Sequence, residues 1–325
     1  MVKKPIKATT SLELDPVVSA AWLYYHLDLT QAEVATALGV SRTTVVNFLA
    51  EARERGIVTI QVEPEYLASL NLAQSVRERF GLKDAFVVPT PIPATVEQVG
   101  SGLGQASALY LERILRPGET LAVGWGQTLL EVAKALRAKP QADMKVAQLM
   151  GGLSSGAALN PSTVAAILAE KLQARHHYIY MPAVVASVEV RQILLSDPSL
   201  YAGLEVAKTA DRALVGIGEV SQEATVVKTG FISSLQIDEL RAKGAVGEMM
   251  SRYFDIHGRP VRSSFDDRLT GLSFEELAKL KNVIAVVGGQ RKAEAVLGLL
   301  RSGLVHVLIS DRETIERVVE LEQTI

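Results

Sequence analysis

The sequence predicts an α/β protein in two parts: a small N-terminal helix-turn-helix domain, then a larger doubly wound, mostly parallel α/β domain. Three observations predict this. Up to about residue 60 the chain reads as short helices broken by capping residues and glycine. From residue 84 onward, near-continuous apolar runs of four to six residues alternate with amphipathic helical patterns, as in a parallel sheet covered on both faces. And 325 residues with 48% hydrophobic content suffice for about two domains with a substantial core.

Composition narrows the chemistry. There is no cysteine, so disulfides, thiolate nucleophiles, iron–sulfur clusters and cysteine-built zinc sites are excluded. Lys+Arg is 34 and Asp+Glu 36, a formal charge of −2, which gives no global attraction to nucleic acid or an acidic membrane. Any DNA contact must be local. Lys3, Lys4 and Lys7 are followed by Glu13 and Asp15 where an export signal would need an apolar core. No apolar stretch approaches the roughly 20 residues of a spanning helix. The expectation is a cytoplasmic protein with no membrane partner.

Taken in order, Asp15-Pro16 starts a first helix, with Val17, Ala20, Ala21, Leu23 and Tyr24 to bury. Thr30 and Glu33 have capping-box spacing for a second helix, whose inner face is Val34, Ala35 and Leu38. Gly39 makes a sharp turn. Ser41 caps a third helix carrying Val45, Phe48, Leu49 and Ala52 at i, i+3, i+4 and i+7. Gly56 ends it, and residues 57–62 read as a short strand.

Two short helices across a tight glycine turn form a helix-turn-helix. The face of the second helix opposite Val45 presents Arg42, Thr43, Thr44 and Asn47, chemically apt to read base edges in a major groove. Gln31 and Ser41 are placed for phosphates. An ordinary helical hairpin with a solvated polar face is the competing reading. Residues 1–60 hold six Lys+Arg and six Asp+Glu, so local charge does not favour DNA. The co-occurrence of small Ala35, the turn glycine, the capping serine and the aliphatic Val45 does. The expected domains are 1–62 for the reader, 63–82 for a linker helix and 83–325 for an effector-binding and oligomerisation domain. The linker helix draws its apolar content from Leu67, Leu70, Leu72, Ala73 and Val76.

In the larger part, strands are expected at 84–89, 120–124, 145–150, 178–181, 213–217, 283–287 and 305–309, with helices at 95–115, 128–136 and 162–172 among others. Ligands of such sheets bind beyond the carboxyl ends of the strands. Two strand ends there suit an anion. Gly124-Trp125-Gly126-Gln127-Thr128 offers exposed backbone N–H groups, a hydroxyl and a helix N-terminus. Gly288-Gly289-Gln290-Arg291-Lys292 repeats the arrangement, with Lys292 in a first turn, where the helix dipole disfavours a cation unless an anion is bound. Neither fits the phosphate loop of nucleotide hydrolases, and each alone is a common strand–helix turn. Together they suggest a phosphorylated small molecule. Glu248, beyond the glycine-rich turn Gly244-Ala245-Val246-Gly247, could accept sugar hydroxyls or be a solvated loop carboxylate.

These segments together resemble the SorC family of bacterial sugar-responsive transcriptional regulators. The resemblance covers nearly the whole chain. It runs through Leu29-Thr30-Gln31-Ala32-Glu33-Val34-Ala35, Gly39-Val40-Ser41-Arg42 and Ala52-Arg53-Glu54-Arg55-Gly56-Ile57-Val58. It continues in 124–128, Gln148-Leu149-Met150-Gly151-Gly152, Val215-Gly216-Ile217-Gly218, 244–247 and 288–292. It implies an effector domain with the fold of ribose-5-phosphate isomerase and glucosamine-6-phosphate deaminase. It further implies a sugar or polyol phosphate effector, operator DNA as partner, and a homotetramer. Phosphate contacts would fall on 124–128 and Lys292, and a hydroxyl-binding carboxylate on Glu248, where the family often has Asp. After Met181-Pro182-Ala183, several relatives carry an Arg that clamps a second phosphate. Here Val184-Val185-Ala186 stands instead, which favours a monophosphate or an unphosphorylated polyol.

A sugar-phosphate isomerase or deaminase is the alternative that this fold raises. Proton transfer needs a positioned base. Adjacent His176 and His177 point to opposite sides of a strand, and Asp266 and Asp267 sit beside Arg262 and Arg268 as a surface ion network. No metal triad or Gly-x-Ser-x-Gly elbow is present, so no catalytic residue, metal or cofactor is expected.

Overall fold

The computed structural model describes residues 15–60, 63–153 and 159–324. The chain divides into two compact units, Met1–Glu63 and Pro64–Ile325. Among the described residues, no helix is long and apolar enough to cross a membrane.

The first unit is helical. Helix α1 (Pro16–Ala21), capped by the Asp15 carboxylate, continues into a π-helical turn, Trp22–His26. α2 (Gln31–Leu38) begins on the Thr30–Glu33 capping box and ends at Gly39, φ 69°. Ser41 caps α3 (Arg42–Glu54) by accepting from the Thr44 N–H. Ala20, Leu23, Val34, Ala35, Val45 and Leu49 form one core where the three helices meet. Each large aliphatic side chain buried there contributes about 1.5–3 kcal/mol. The Arg55 guanidinium holds Asp15 at 2.6 Å, tying the end of α3 to the start of α1.

One expectation fails here. Residues 57–60 form no strand; Ile57 and Ile60 are exposed, and the Val58 N–H instead donates to the Ala52 carbonyl. Gln61 and Val62 lie outside the described residues, as do Lys3, Lys4, Lys7 and Glu13.

The second unit opens with α4 (Pro64–Phe80), which buries Ser69, Ala73 and Val76 at i, i+4 and i+7. It packs on β1 (Asp84–Val88) and on the C-terminal helix, so the helix read as a linker belongs to this unit's body. α5 (Val96–Ile114), β2 (Thr120–Val123), α6 (Gln127–Ala135), β3 (Lys145–Gln148) and α7 (Pro161–Leu172) follow. Then come β4 (Arg175–His177), α8 (Val188–Leu195), α9 (Pro198–Lys208) and β5 (Arg212–Gly216). An insertion comprises β6 (Gly218–Glu219), α10 (Thr225–Lys228), α11 (Ser234–Ala242), β7 (Ala245–Met249), β8 (Arg252–Asp255) and β9 (Pro260–Val261). The chain closes with α12 (Phe274–Leu277), β10 (Val283–Val286), α13 (Ala293–Ser302), β11 (Val307–Asp311) and α14 (Arg312–Thr324).

Seven strands form one sheet in the order β1-β11-β10-β5-β2-β3-β4, and every neighbouring pair is parallel. Alternate residues feed two cores. Leu121, Val123, Leu214, Ile284 and Val286 face one side, while Ala122, Ala213, Val215, Val283 and Ala285 face the other. From β2 the chain winds outward through β3 and β4, then crosses to β5 on the other side of β2 and winds outward again through β10 and β11. The topological switch lies between β2 and β5, where such sheets open a crevice beyond the strand ends.

Two expectations shift. The strand read at 178–181 lies at Arg175–His177, in register with β3, and beyond it the Ile179 N–H donates to the Gln148 side chain at 2.7 Å. The glycine-rich turn read around 244–248 is strand β7 of a second, antiparallel sheet ordered β6-β7-β8-β9.

Candidate functional site

In the reader unit, the start of α3 presents exposed Ser41, Arg42, Thr43 and Asn47, with Thr44 half-buried. The Ser41 hydroxyl is committed to the cap and meets the Thr44 hydroxyl at 2.8 Å. Arg42 Nε donates to Gln31 Oε1 at 3.2 Å, so the first turn of α2 orients the guanidinium at the first turn of α3. Gln31 thus acts on Arg42. Thr43 and Asn47, at i and i+4, share a solvent-facing side opposite fully buried Val45, and exposed Arg42 opens the same first turn.

In the second unit, the two glycine loops end β2 and β10, the strands flanking β5 on either side. Two strand spacings, about 10 Å, separate them. Gly126 caps α6 with φ 113°, and Gly289 precedes the 3-10 turn Gln290–Lys292 with φ 102°. Side chains rarely adopt that backbone geometry, which is why both positions are glycine. Neither can supply a side-chain cap, and among the described residues no side chain caps either first turn. A Cβ on Gly216 would lie 3.1 Å from the Trp125 carbonyl, so the β2 loop folds over the end of β5.

Immediately past β5, Gly218 pairs with Glu248 across β6 and β7. A Cβ at Gly218 would meet Glu248 Oε2 at 2.7 Å, so this glycine gives the carboxylate its place. Glu248 is 4% exposed. Its Oε1 accepts from the Ser251 N–H, and Lys292 lies near enough to interact electrostatically. Burial outweighs both and pushes the Glu248 carboxyl up to about 7. Lys292 is half-buried, and desolvation lowers its pKa against the opposing pull of Glu219, Glu248 and Asp311. Among the described residues its ammonium has no hydrogen bond and no ion pair within 4 Å. Glu219 is instead engaged by Ser221 at 3.0 Å and Arg291 at 3.4 Å.

The expected residues divide accordingly. Glu248 and Lys292 are brought together, with 124–128 across the end of β5. Trp125 turns inward, 7% exposed, its ring 6.2 Å from Phe231. Gln127 is exposed and donates to Glu131 at 2.7 Å. His176 and His177 occupy successive positions of β4 and are both half-buried, so neither shares a site with the other. Among the described residues, no group of three or more His, Asp or Glu is placed to hold a metal ion. A cavity of about 300 Å³ borders the centre, lined in part by Glu219, Ser221, Arg241, Gly244 and Arg291.

Sequence reasoning missed Asp311 and the Ser251–Tyr253 pair. Asp311 is fully buried and accepts from the Gly289 N–H at 2.9 Å and the Thr314 hydroxyl at 2.6 Å, fixing the β10 loop. A carboxylate ending an apolar strand was the available signal. The Ser251 and Tyr253 hydroxyls are buried beside Glu248 without a hydrogen-bond partner among the described residues. The site therefore pairs a half-buried cation, suited to an anionic group, with a buried carboxylate, suited to hydroxyls.

Comparison with known proteins places this geometry. Residues 64–320 match the family model Sugar-bind, described as "Putative sugar-binding domain". The uncharacterized transcriptional regulator YjhU of Escherichia coli (strain K12) is 31% identical over 312 residues, 95% of each chain. The deoxyribonucleoside regulator of Bacillus subtilis (strain 168) is 31% identical over 303 residues, 93% of this chain and 96% of that one. The crystal structure of the full-length sorbitol operon regulator SorC from Klebsiella pneumoniae superposes with a TM-score of 0.73 at 28% identity. It covers 95% of this chain and 99% of its own.

Proposed function

Because the chain belongs to the SorC family of transcriptional regulators, we propose that it binds operator DNA of a carbohydrate or polyol operon under control of a small effector. The effector is an anionic sugar or polyol, in the first place a monophosphate. One observation carries its charge: Lys292 is half-buried at a strand end, with no ion pair among the described residues. A cation held partly out of water without an ion pair among the described residues is costly, and a phosphate held between it and the N–H groups of the 124–128 loop beyond Gly124, whose own N–H donates to the Leu214 carbonyl, offsets that cost. Glu248 takes a hydroxyl of the same molecule. Its side chain is one methylene longer than the family's frequent Asp, which sets the carboxylate deeper into the sugar's space.

Arg42, Thr43, Thr44 and Asn47 read base edges, while Gln31 and Ser41 position the helix. Helix-turn-helix readers act in pairs on two half-sites, which supports a homo-oligomer; the family resemblance implies a tetramer. Regulation rather than catalysis is the reading supported by the relatives, which are named as regulators. One observation favours a second reading: a buried carboxyl near pH 7 is also what a sugar isomerase uses as a base.

The test is fluorescence anisotropy on labelled DNA from upstream of the protein's own operon, with a panel of sugar and polyol phosphates. Arg42→Ala costs about 1–3 kcal/mol of specific DNA binding and leaves effector affinity intact. Lys292→Ala abolishes the response to phosphorylated compounds and leaves DNA binding intact. Normal operator binding by Arg42→Ala contradicts the docking register. Turnover of a panel compound, with no DNA binding, establishes the isomerase instead.

A further inference from the structure

Helix α8 carries a cation on its inward side. Arg191 lies one turn before Leu194 and Leu195, which rest against the core, and like them it is half-buried. A charge turned toward the protein body is ordinarily paired there. Arg191 meets a main-chain oxygen instead: its Nε donates to the Leu269 carbonyl at 2.6 Å.

Arg252 on β8 does the same three residues further along. It too is half-buried, and its Nε donates to the Leu272 carbonyl at 2.8 Å. Two carbonyls of one short stretch thus aim two guanidinium groups. Burial disfavours the charge on Arg252, and Arg191 is near enough to repel it. The Arg268 guanidinium, expected from the sequence in an ion network with Asp266 and Asp267, donates to the Val185 carbonyl at 3.1 Å and holds the lead into α8.

The carboxylates nearby are committed elsewhere. Asp266, Glu275 and Glu276 attract Arg252 from a distance. Asp266 accepts from the Ser263 N–H at 3.1 Å and from the Ser263 hydroxyl. Glu275 is hydrogen-bonded to the Ser273 side chain, while Glu276 accepts from the Ser273 N–H at 2.9 Å and pairs with Lys208 at 3.2 Å. Among the described residues none of them forms an ion pair with Arg191 or Arg252. The Nη groups of both arginines are left without a partner there and are open to solvent. A planar Nη pair of this kind fits two oxygens of an oxyanion.

We propose that Arg191 and Arg252 form a binding site for a phosphoryl group, separate from the Glu248–Lys292 centre. Strand geometry separates the two. Arg252 and Tyr253 are neighbours on β8 and face opposite sides, and Tyr253 is the one in register with Glu248. A dianion is selected over a carboxylate because two positive charges face it, and a single negative charge leaves one of them uncompensated. Inorganic phosphate and the phosphate of a larger molecule make the same contacts. Neither operator reading nor the effector assignment is a premise here.

The experiment is equilibrium dialysis of labelled inorganic phosphate against the full chain, with ionic strength held constant by chloride. The wild type is expected to bind two phosphates per chain. Arg191→Gln and Arg252→Lys each weaken one of them at least tenfold, and Lys292→Ala weakens the other. Arg252→Lys keeps the charge and removes the planar fork, so it decides if Arg191→Gln fails to fold. Unlabelled methyl phosphate distinguishes the sources. Displacement of the label in Lys292→Ala supports a site for a carried phosphate, and displacement by inorganic phosphate alone supports a site for the free ion. Phosphate binding that both arginine variants leave unchanged overturns the proposal, as does acetate competing as well as phosphate. A single phosphate lost only in Lys292→Ala overturns it while the effector reading stands. A single phosphate lost in Arg191→Gln and kept in Lys292→Ala supports it and counts against the effector reading.

Discussion

Glu248 is a carboxyl only 4% exposed, and its protonation is tied to the stability of the unit that holds it. Its pKa is raised from 4.5 to about 7 in the folded state, chiefly by burial. Between those values the folded chain holds a proton that the unfolded chain has released, so stability falls as pH rises through the window. Above the window the full penalty is present; below it there is none. The shift corresponds to roughly 3 kcal/mol at most. Glu248→Gln removes this term. Urea unfolding of the two proteins between pH 4.5 and 7 should show the wild type losing stability relative to Glu248→Gln as pH rises. Parallel curves would mean that the carboxyl is not held as described. Lys292 presents the complementary case: the sequence marked it as a cation on the wrong end of a helix, and among the described residues the structure finds it without an ion pair. That residue was legible because its local electrostatics were unfavourable. Asp311 was not, because nothing in Ser310-Asp311 says which loop N–H the carboxylate will meet.

At the level of elements, the repeated strands and helices were readable, since β2, β5, β10 and β11 are apolar runs between capped helices. The antiparallel sheet was not. A hairpin usually declares itself through Asn-Gly or Asp-Gly, whose backbones accept positive φ. Here Met250 and Ser251 sit at φ 55° and 63° between β7 and β8. Two non-glycine residues in that region cost about 1–2 kcal/mol each. The turn survives because it delivers the Ser251 N–H to Glu248. Strain of this kind gathers at binding sites. Ser251→Gly relaxes one of the two residues and deletes a buried hydroxyl that has no partner among the described residues. It should raise the unfolding free energy by about 1 kcal/mol, read as a higher Tm, with Glu248 still in place. A lower Tm would show that the serine side chain is itself stabilising. The misplaced fourth strand has a simpler cause. Tyr178-Ile179-Tyr180-Met181 has the alternation of a strand, but the Gln148 side chain takes over the bonding that β3 would have given.

Across the whole molecule, a reader of 63 residues and a sheet domain of 262 do separable chemistry. The near-neutral charge, −2, gives DNA affinity no bulk attraction to rest on, and the proposed reading places it on the few groups at the start of α3. Regulation then requires that the effector prefer one state of the assembly over another. Binding linkage makes the effect reciprocal: the factor by which effector changes operator affinity equals the factor by which operator changes effector affinity. The deciding measurement is calorimetric titration of a sugar or polyol phosphate into the full chain, with and without saturating operator. It is set beside the operator affinity measured with and without that phosphate. The account predicts one compound for which the two factors agree and differ from one, and Lys292→Ala returns both to one. An effector that binds tightly at Lys292 while leaving operator affinity unchanged would contradict it.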